Sequence, residues 1–489
     1  MYLTCPTYDQ AHFAARESPH VARLVQSTSI MRRRFHAIAL WLCACAISGG
    51  CATGASTRIA SPDGEAHRSF VVPALEIVAF EAGLNAVARR MYDDGSFDVT
   101  PGTVRRNLRS QWVVDDDAFE VNQFLHPYQG ATYHTIARSS GLSYWQSVAY
   151  TFAGSVLWEV AGETTTPSVN DQIASGVAGS FFGESMFRSA NLLIDKADGR
   201  PGFGRMLLVT LISPATGVNR TVFGGRFDGV MPTFEPLYDA RMQIGTTGLI
   251  TRGGSPRVSR DESLFDVSLE YGLPGKPGYT YSRPFDYFNV QLTASSTNGL
   301  ESVTSHGLLA GRAYGAGEHG RGVWGLFGVY DYISPELFRV STTALSMGTS
   351  LQWWSPRGIG FQTTAHGGVG WAAAQTLEDG GDYHYGLAPQ GSLAMRLTGS
   401  DRVSLDLGAR GYLVSDIGGY PTAVNDVIIR GDASLGFRIF RRHAVSLRYL
   451  FNQRVAALPD LTTTRQRRET IGIFYTLLGP HGFGASRWK

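Results

Sequence analysis

The chain has 489 residues, of which 17% are charged and 58 are glycine, and its formal net charge is +2. So small a basic excess gives no sign of nucleic-acid binding or of a polybasic membrane-surface protein. After the N-terminal region no run of about 18 or more apolar residues occurs, which excludes a helical inner-membrane protein.

The first element is an address. Met31 and Arg32 to Arg34 precede a short apolar run, Phe35 to Ile47, the pattern of a secretory signal. Residues 1–30 have no evident role, and translation is expected to start at Met31. The signal ends in Ile47-Ser48-Gly49-Gly50-Cys51, which resembles a bacterial lipobox apart from Ser48. Cys51 is therefore the expected lipid attachment site and the one cysteine of the mature chain; plain cleavage near Ala55 is the alternative. Leader and signal occupy residues 1–51.

Residues 52–117 read as a helix and an irregular linker. Val71 to Tyr92 has helical apolar spacing, and Asp93 to Gln123 is polar and turn-rich. A helical region follows over 118–225. From Ser143 to Gly162, Ser147, Thr151, Ser155, Glu159 and Glu163 recur at i+4 and share one helix face, a buried polar stripe that needs partners. The next helix begins at Pro167, where Ser168 and Asp171 have capping-box spacing, so Ser168 is read as a cap rather than a nucleophile. Gly176, Gly179 and Gly183 are explained by close approach of another backbone. Glu184 and Arg188, at i+4, form an expected ion pair. A third short helix, from about Gly202 to Ser213, runs into Pro214 to Arg220.

From 226 to 489 the pattern changes to period two. In Val403 to Leu413 the apolar or small residues Val403, Leu405, Leu407, Ala409, Gly411 and Leu413 alternate with Ser404, Asp406, Gly408, Arg410 and Tyr412. Strands are expected near 238–252, 263–273, 286–298, 303–315, 321–332, 338–354, 358–373, 384–398, 402–415, 427–440, 443–454 and 468–478. An even number of long strands, about 12, is what a bacterial single-chain membrane barrel requires. Tight turns are expected at Ser400-Asp401 and Arg441-Arg442, and longer loops at Glu378 to Tyr383, Ile417 to Ala423 and Ala457 to Arg465. Trp353, Trp354, Tyr383, Tyr385 and Tyr449 are candidates for interfacial girdles. Thr470, Gly472, Tyr475 and Leu477 resemble the signal read by the barrel assembly machinery, one expected partner; outer-membrane lipid is the other. The fold class is thus mainly β with an α-helical segment: a transmembrane barrel of about 12 antiparallel strands with an N-terminal helical plug or cap.

Several motifs in the helical region are ordered and distinctive. They are His126-Pro127-Tyr128 with Gly130 and Tyr133, Ala137-Arg138 with Gly141, Ser155 with Trp158-Glu159, Pro167-Ser168 with Asn170-Asp171, Gly179 with Gly183-Glu184, and Asn219-Arg220. Together they resemble the bacterial domain-of-unknown-function family 3943 over roughly residues 70–225. The resemblance implies a Gram-negative envelope protein and brings no activity.

Two functions stay open at this level. The first is a non-enzymatic outer-membrane barrel with a helical plug, serving transport or envelope organisation. In it Glu159, Glu163 and Glu184 are counter-charges in a polar core with Ser155, Trp158, Ser168, Asn170, Arg188, Asn219 and Arg220. The second is a hydrolase acting on outer-membrane lipid or lipopolysaccharide, for which His126, Glu159, Glu163, Asp171 and Glu184 supply acid and base. There is no Gly-x-Ser-x-Gly elbow and no His-Glu-x-x-His zinc motif. His126 and His134, eight apart across Gly130, do not have metal-pair spacing, so neither a metal nor a cofactor is expected.

Overall fold

The computed structural model describes residues 67–92, 94–115, 117–197, 199–227, 236–251, 257–276, 278–376, 383–415, 425–457 and 463–484. The signal and Cys51, and most of the three expected long loops, lie outside these residues. Twelve antiparallel strands close in sequence order into a barrel, β12 pairing with β1. They are β1 (Tyr238–Thr251), β2 (Arg257–Tyr271), β3 (Phe288–Ser295), β4 (Gly299–Gly315), β5 (Gly320–Ile333), β6 (Phe338–Trp354), β7 (Ile359–Thr376), β8 (His384–Gly399), β9 (Val403–Val414), β10 (Asn425–Phe440), β11 (His443–Ala457) and β12 (Thr463–Leu478). Every expected strand is present, and β6 has both expected ends. The tight turns fall where the sequence placed them. Ser400, Asp401 and Arg441 there adopt left-handed φ of 48°, 57° and 47°, the twist that two-residue hairpin turns demand.

The two faces of the wall differ in chemistry. Along β11 burial alternates nearly residue by residue, and on β9 Leu405, Leu407 and Leu413 are exposed on the outside. Asp406 points into the lumen. There it accepts from Arg241 of β1 at 3.1 Å and pairs with Arg396 of β8, which also reaches Asp239 at 2.8 Å. Other pairs span the lumen: Arg430 with Glu301 at 2.9 Å and Arg448 with Asp266 at 3.6 Å. A cavity of about 190 Å³ remains among these side chains. After β12 the chain turns inward. Phe483 is buried with Ala444 and Leu478, and its carbonyl accepts from Arg241.

The helices are α1 (Val71–Met91), α2 (Pro101–Asn107), α3 (His126–Ser139), α4 (Tyr144–Ala161), the single turn α5 (Val169–Asp171), α6 (Gly179–Asp195), α7 (Phe203–Ile212) and α8 (Pro214–Phe223), with π-helical stretches at Val121–Leu125 and Gln172–Ala178. Two of these, α2 and α3, were not foreseen, and the stretch expected to run on from Ser213 is a separate helix. The expected helical segment is there, but it is not a plug: it packs against the outer wall. Glu301 to Leu309 of β4 and Phe327 to Ile333 of β5 are buried on both faces. Their lumen-facing residues, such as Thr304, His306 and Asp331, alternate with Val303, Ser305, Tyr330 and Tyr332, which lie under the helices. Ser305 Oγ donates to the Phe181 carbonyl, and Tyr330 donates to the Gln123 carbonyl at 2.8 Å. Within the lumen the wall's own arginines and carboxylates pair with one another instead. Tyr383 and Tyr385, expected in a girdle, also lie beneath this helical layer.

Candidate functional site

Close backbone contact sets the frame of the helical segment. An added Cβ on Gly179 would stand 2.7 Å from Gly130 Cα, and one on Gly183 would stand 2.9 Å from the Ala131 carbonyl oxygen, so α3 and α6 touch backbone to backbone. Gly176 meets the Phe152 ring instead. The polar stripe of α4 finds its partners within the helices rather than on the barrel. Ser147 donates to the Ser143 carbonyl, Thr151 to the Ser147 carbonyl, and Gln172 donates to Ser155 Oγ at 2.7 Å. Trp158 is buried beside Phe97. Asn219 donates to Glu76 and to Ser139 Oγ, and Arg220 to the Gly199 carbonyl.

The candidate residues divide into two clusters. In the first, Glu184 of α6 accepts from Arg138 Nε and Arg188 Nε, both at 2.7 Å, and lies 3.0 Å from His134 Nε2. Arg188 continues to Asp286 at 3.1 Å and to the Pro284 carbonyl, tying the helix to the segment between β2 and β3. Burial alone would raise the Glu184 pKa. Arg138, His134 and Arg188 overcome it and hold the carboxyl well below the usual range. Two carboxylates face two guanidinium groups, so the cluster is balanced and reads as a structural lock.

The second cluster is not balanced. His126, Glu159 and Asp171 are all buried, with potential donor atoms within 4.8 Å of one another. Each is held from behind. Ser168 N–H donates to Glu159 Oε2 at 2.8 Å, the Ser168 hydroxyl donates to Asp171 Oδ2, and Asn170 Nδ2 donates to Asp171 Oδ1 at 3.3 Å. Ser175 Oγ stands 3.5 Å from His126 Nδ1, leaving Nε2 turned to Asp171 Oδ2 at 3.7 Å. Glu159 Oε1 is buried without a hydrogen-bond partner. Ser168 also caps α5, accepting from Asp171 N–H. At the rim, Asp115 accepts from Asn122 and Asn170, and Asn170 also donates to Tyr385 of β8 at 3.0 Å. Glu163, half-buried, stands beyond the end of α4.

No lysine or arginine pairs with Glu159 or Asp171 among the described residues. Burial, with the like charges of Asp171 and Glu163, pushes Glu159 well up; burial and Asp115 do the same for Asp171. Burial raises Glu163 to about 7 against the opposing pull of His126, and lowers His126 itself. One π-helical stretch runs directly into His126 and the other directly out of Asp171, an irregularity frequent at functional sites. Of the five sequence candidates, His126, Glu159 and Asp171 converge, Glu163 stands beside them, and Glu184 belongs to the other cluster. Asp115, Asn122 and Tyr385 went unrecognised as neighbours. Asp115 sits in a polar stretch without periodicity, and only the tertiary fold brings in Tyr385.

No curated protein matches the chain. Among solved structures, the NanC porin aligns at 9% identity and TM-score 0.26, over 47% of this chain and 98% of its own. OmpT of Vibrio cholerae aligns at 8% and 0.22, over 50% and 100%. An outer-membrane channel from Pseudomonas putida F1 aligns at 11% and 0.24, over 51% and 97%. Residues 111–215, which hold both clusters except Asp286, match the family described as Domain of unknown function (DUF3943), and this chain joins that domain to a closed twelve-stranded barrel.

Proposed function

We propose that the protein is an outer-membrane barrel that anchors, on its outer wall, a helical hydrolase acting on envelope lipid. The observation that carries this reading is the buried His126, Glu159 and Asp171 cluster, which brings three proton-transfer groups together with no guanidinium or ammonium partner among the described residues and leaves Glu159 Oε1 without a hydrogen bond. The outward Leu, Ile, Val and Phe of the bare strands support a lipid environment. So do exposed apolar side chains on the helices: Val71, Leu75 and Val78 of α1, and Phe203, Leu207, Leu208 and Leu211 of α7. A helical segment beside the barrel meets lipid directly, whereas a plug would meet solute. The lumen is laced by ion pairs such as Arg430 with Glu301 and Arg241 with Asp406, which argues against a transport role.

The test is reconstitution of the purified protein into vesicles of phospholipid, or of phospholipid with lipopolysaccharide, with released fatty acid and phosphate measured. His126→Ala and Asp171→Asn are expected to lose release by about 10²-fold or more while keeping the heat-shifted gel mobility of a folded barrel. Recovery of the wild type in the soluble periplasmic fraction, or folded wild type that releases neither product, would sink the reading.

A further inference from the structure

We propose that His126, Glu159 and Asp171 bind a divalent transition-metal ion, of the class of Zn²⁺ or Mn²⁺. The inference deepens the hydrolase reading and rests on it only for what the ion would do, not for whether it binds. The geometry comes first. The donor atoms of the three side chains already lie within 4.8 Å of one another, and a tetrahedral site with bonds of about 2.0–2.2 Å spaces its ligands roughly 3.4 Å apart. Closing that gap takes small side-chain rotations. Glu159 Oε1 has no hydrogen bond to give up, and His126 Nε2 already faces Asp171.

The second point is charge. Two buried carboxylates without a guanidinium or ammonium partner need either protons or a cation. The Glu184 cluster, in the same helical segment, meets that need with arginines. Among the described residues the basic group here is an imidazole, itself a metal ligand. The third point is support: Ser168 N–H on Glu159, the Ser168 hydroxyl and Asn170 on Asp171, and Ser175 beside His126 Nδ1. Such outer partners fix ligand orientation in metal sites. One nitrogen with two carboxylate oxygens favours Zn²⁺ or Mn²⁺ over Ca²⁺ or Mg²⁺. Three protein ligands leave a coordination position open, the arrangement of catalytic rather than structural sites. Bound there, the ion would polarise a water or a lipid ester oxygen.

The experiment uses the whole protein in detergent, folded as judged by heat-shifted mobility and stripped with chelator. Zn²⁺ or Mn²⁺ alone is then titrated by calorimetry and retained metal is counted by elemental analysis, with Ca²⁺ and Mg²⁺ as comparators. One ion per chain is expected. Glu159→Gln and Asp171→Asn, which keep shape, should weaken binding by about 10-fold or more and abolish the metal-induced rise in unfolding temperature. Glu76→Gln, far from the cluster, should bind as the wild type does. Absence of stoichiometric binding by folded protein, or binding undiminished in both Glu159→Gln and Asp171→Asn, would overturn the proposal. Stoichiometric binding without lipid release would instead refute the hydrolase reading and leave the metal site standing. Lipid release by folded protein that binds neither Zn²⁺ nor Mn²⁺ would do the reverse.

Discussion

At the scale of residues, two glutamates that looked alike in the sequence have opposite situations. Glu184 sits between two guanidinium groups, whereas Glu159 has a backbone N–H and one unpartnered oxygen. The cost of a broken buried ion pair, roughly 3–5 kcal/mol, therefore belongs to Glu184→Gln and not to Glu159→Gln. Its pH dependence follows from the lowered Glu184 pKa. A depressed carboxyl contributes stability that is complete above its unfolded value and is lost as pH falls through the folded one. In urea titrations the gap between wild type and Glu184→Gln should be widest at neutral pH and should narrow progressively as pH falls from the ordinary carboxylate range toward the lowered folded value. A gap independent of pH would mean that Glu184 is not held ionised. The i+4 spacing made Arg188 legible as its partner. Arg138 was not, because it arrives from a helix 46 residues earlier. Convergence of His126 with Asp171 was equally hidden, since a π-helical turn leaves no sequence period to read.

Among the elements, glycine was the clearest signal. A residue that costs helix propensity persists where a second backbone leaves no space for Cβ, as at Gly179 and Gly183. Gly179→Val should destabilise by about 1–3 kcal/mol through overpacking against Gly130, whereas Gly204→Val, in open space on α7, should leave the unfolding midpoint nearly unchanged; equal midpoints for the two would refute the contact. Helix α3 escaped notice for the opposite reason. Nearly every residue from His126 to Arg138 is buried, including Gln129, Thr132, His134 and Arg138, so no apolar stripe marks one face. Helix α2 is announced by Pro101 and by Thr100 and Thr103 capping each other, but threonine in place of the usual Glu or Gln disguised the box.

For the whole molecule, the barrel was legible because a period of two over twelve strands admits few other folds. The position of the helices was not: outward apolar residues on β4 and β5 have the same spacing whether they meet lipid or protein. The wall assignment makes a paired test. Leu407→Arg should cost about 2–4 kcal/mol at the bilayer midplane. Asp406→Asn, which leaves Arg241 and Arg396 with Asp239 as their shared counter-charge, should cost about 2–3 kcal/mol. That is below the roughly 3–5 of a fully enclosed pair because the carboxylate is partly exposed. Both should lower the temperature at which heat-shifted mobility is lost, and a silent Asp406→Asn would invert the assignment of faces.

Packing of the helices on the outer wall also imposes an order of events. The helical segment precedes the barrel in the chain, so it is made first, yet the surface that covers Phe181, Phe182 and Tyr144 is assembled from β4, β5 and the Phe285 segment that leads into β3. Until those strands are paired that surface does not exist. The segment that is made before the barrel is therefore buried after it, and its apolar faces stay open throughout the time the barrel takes to close.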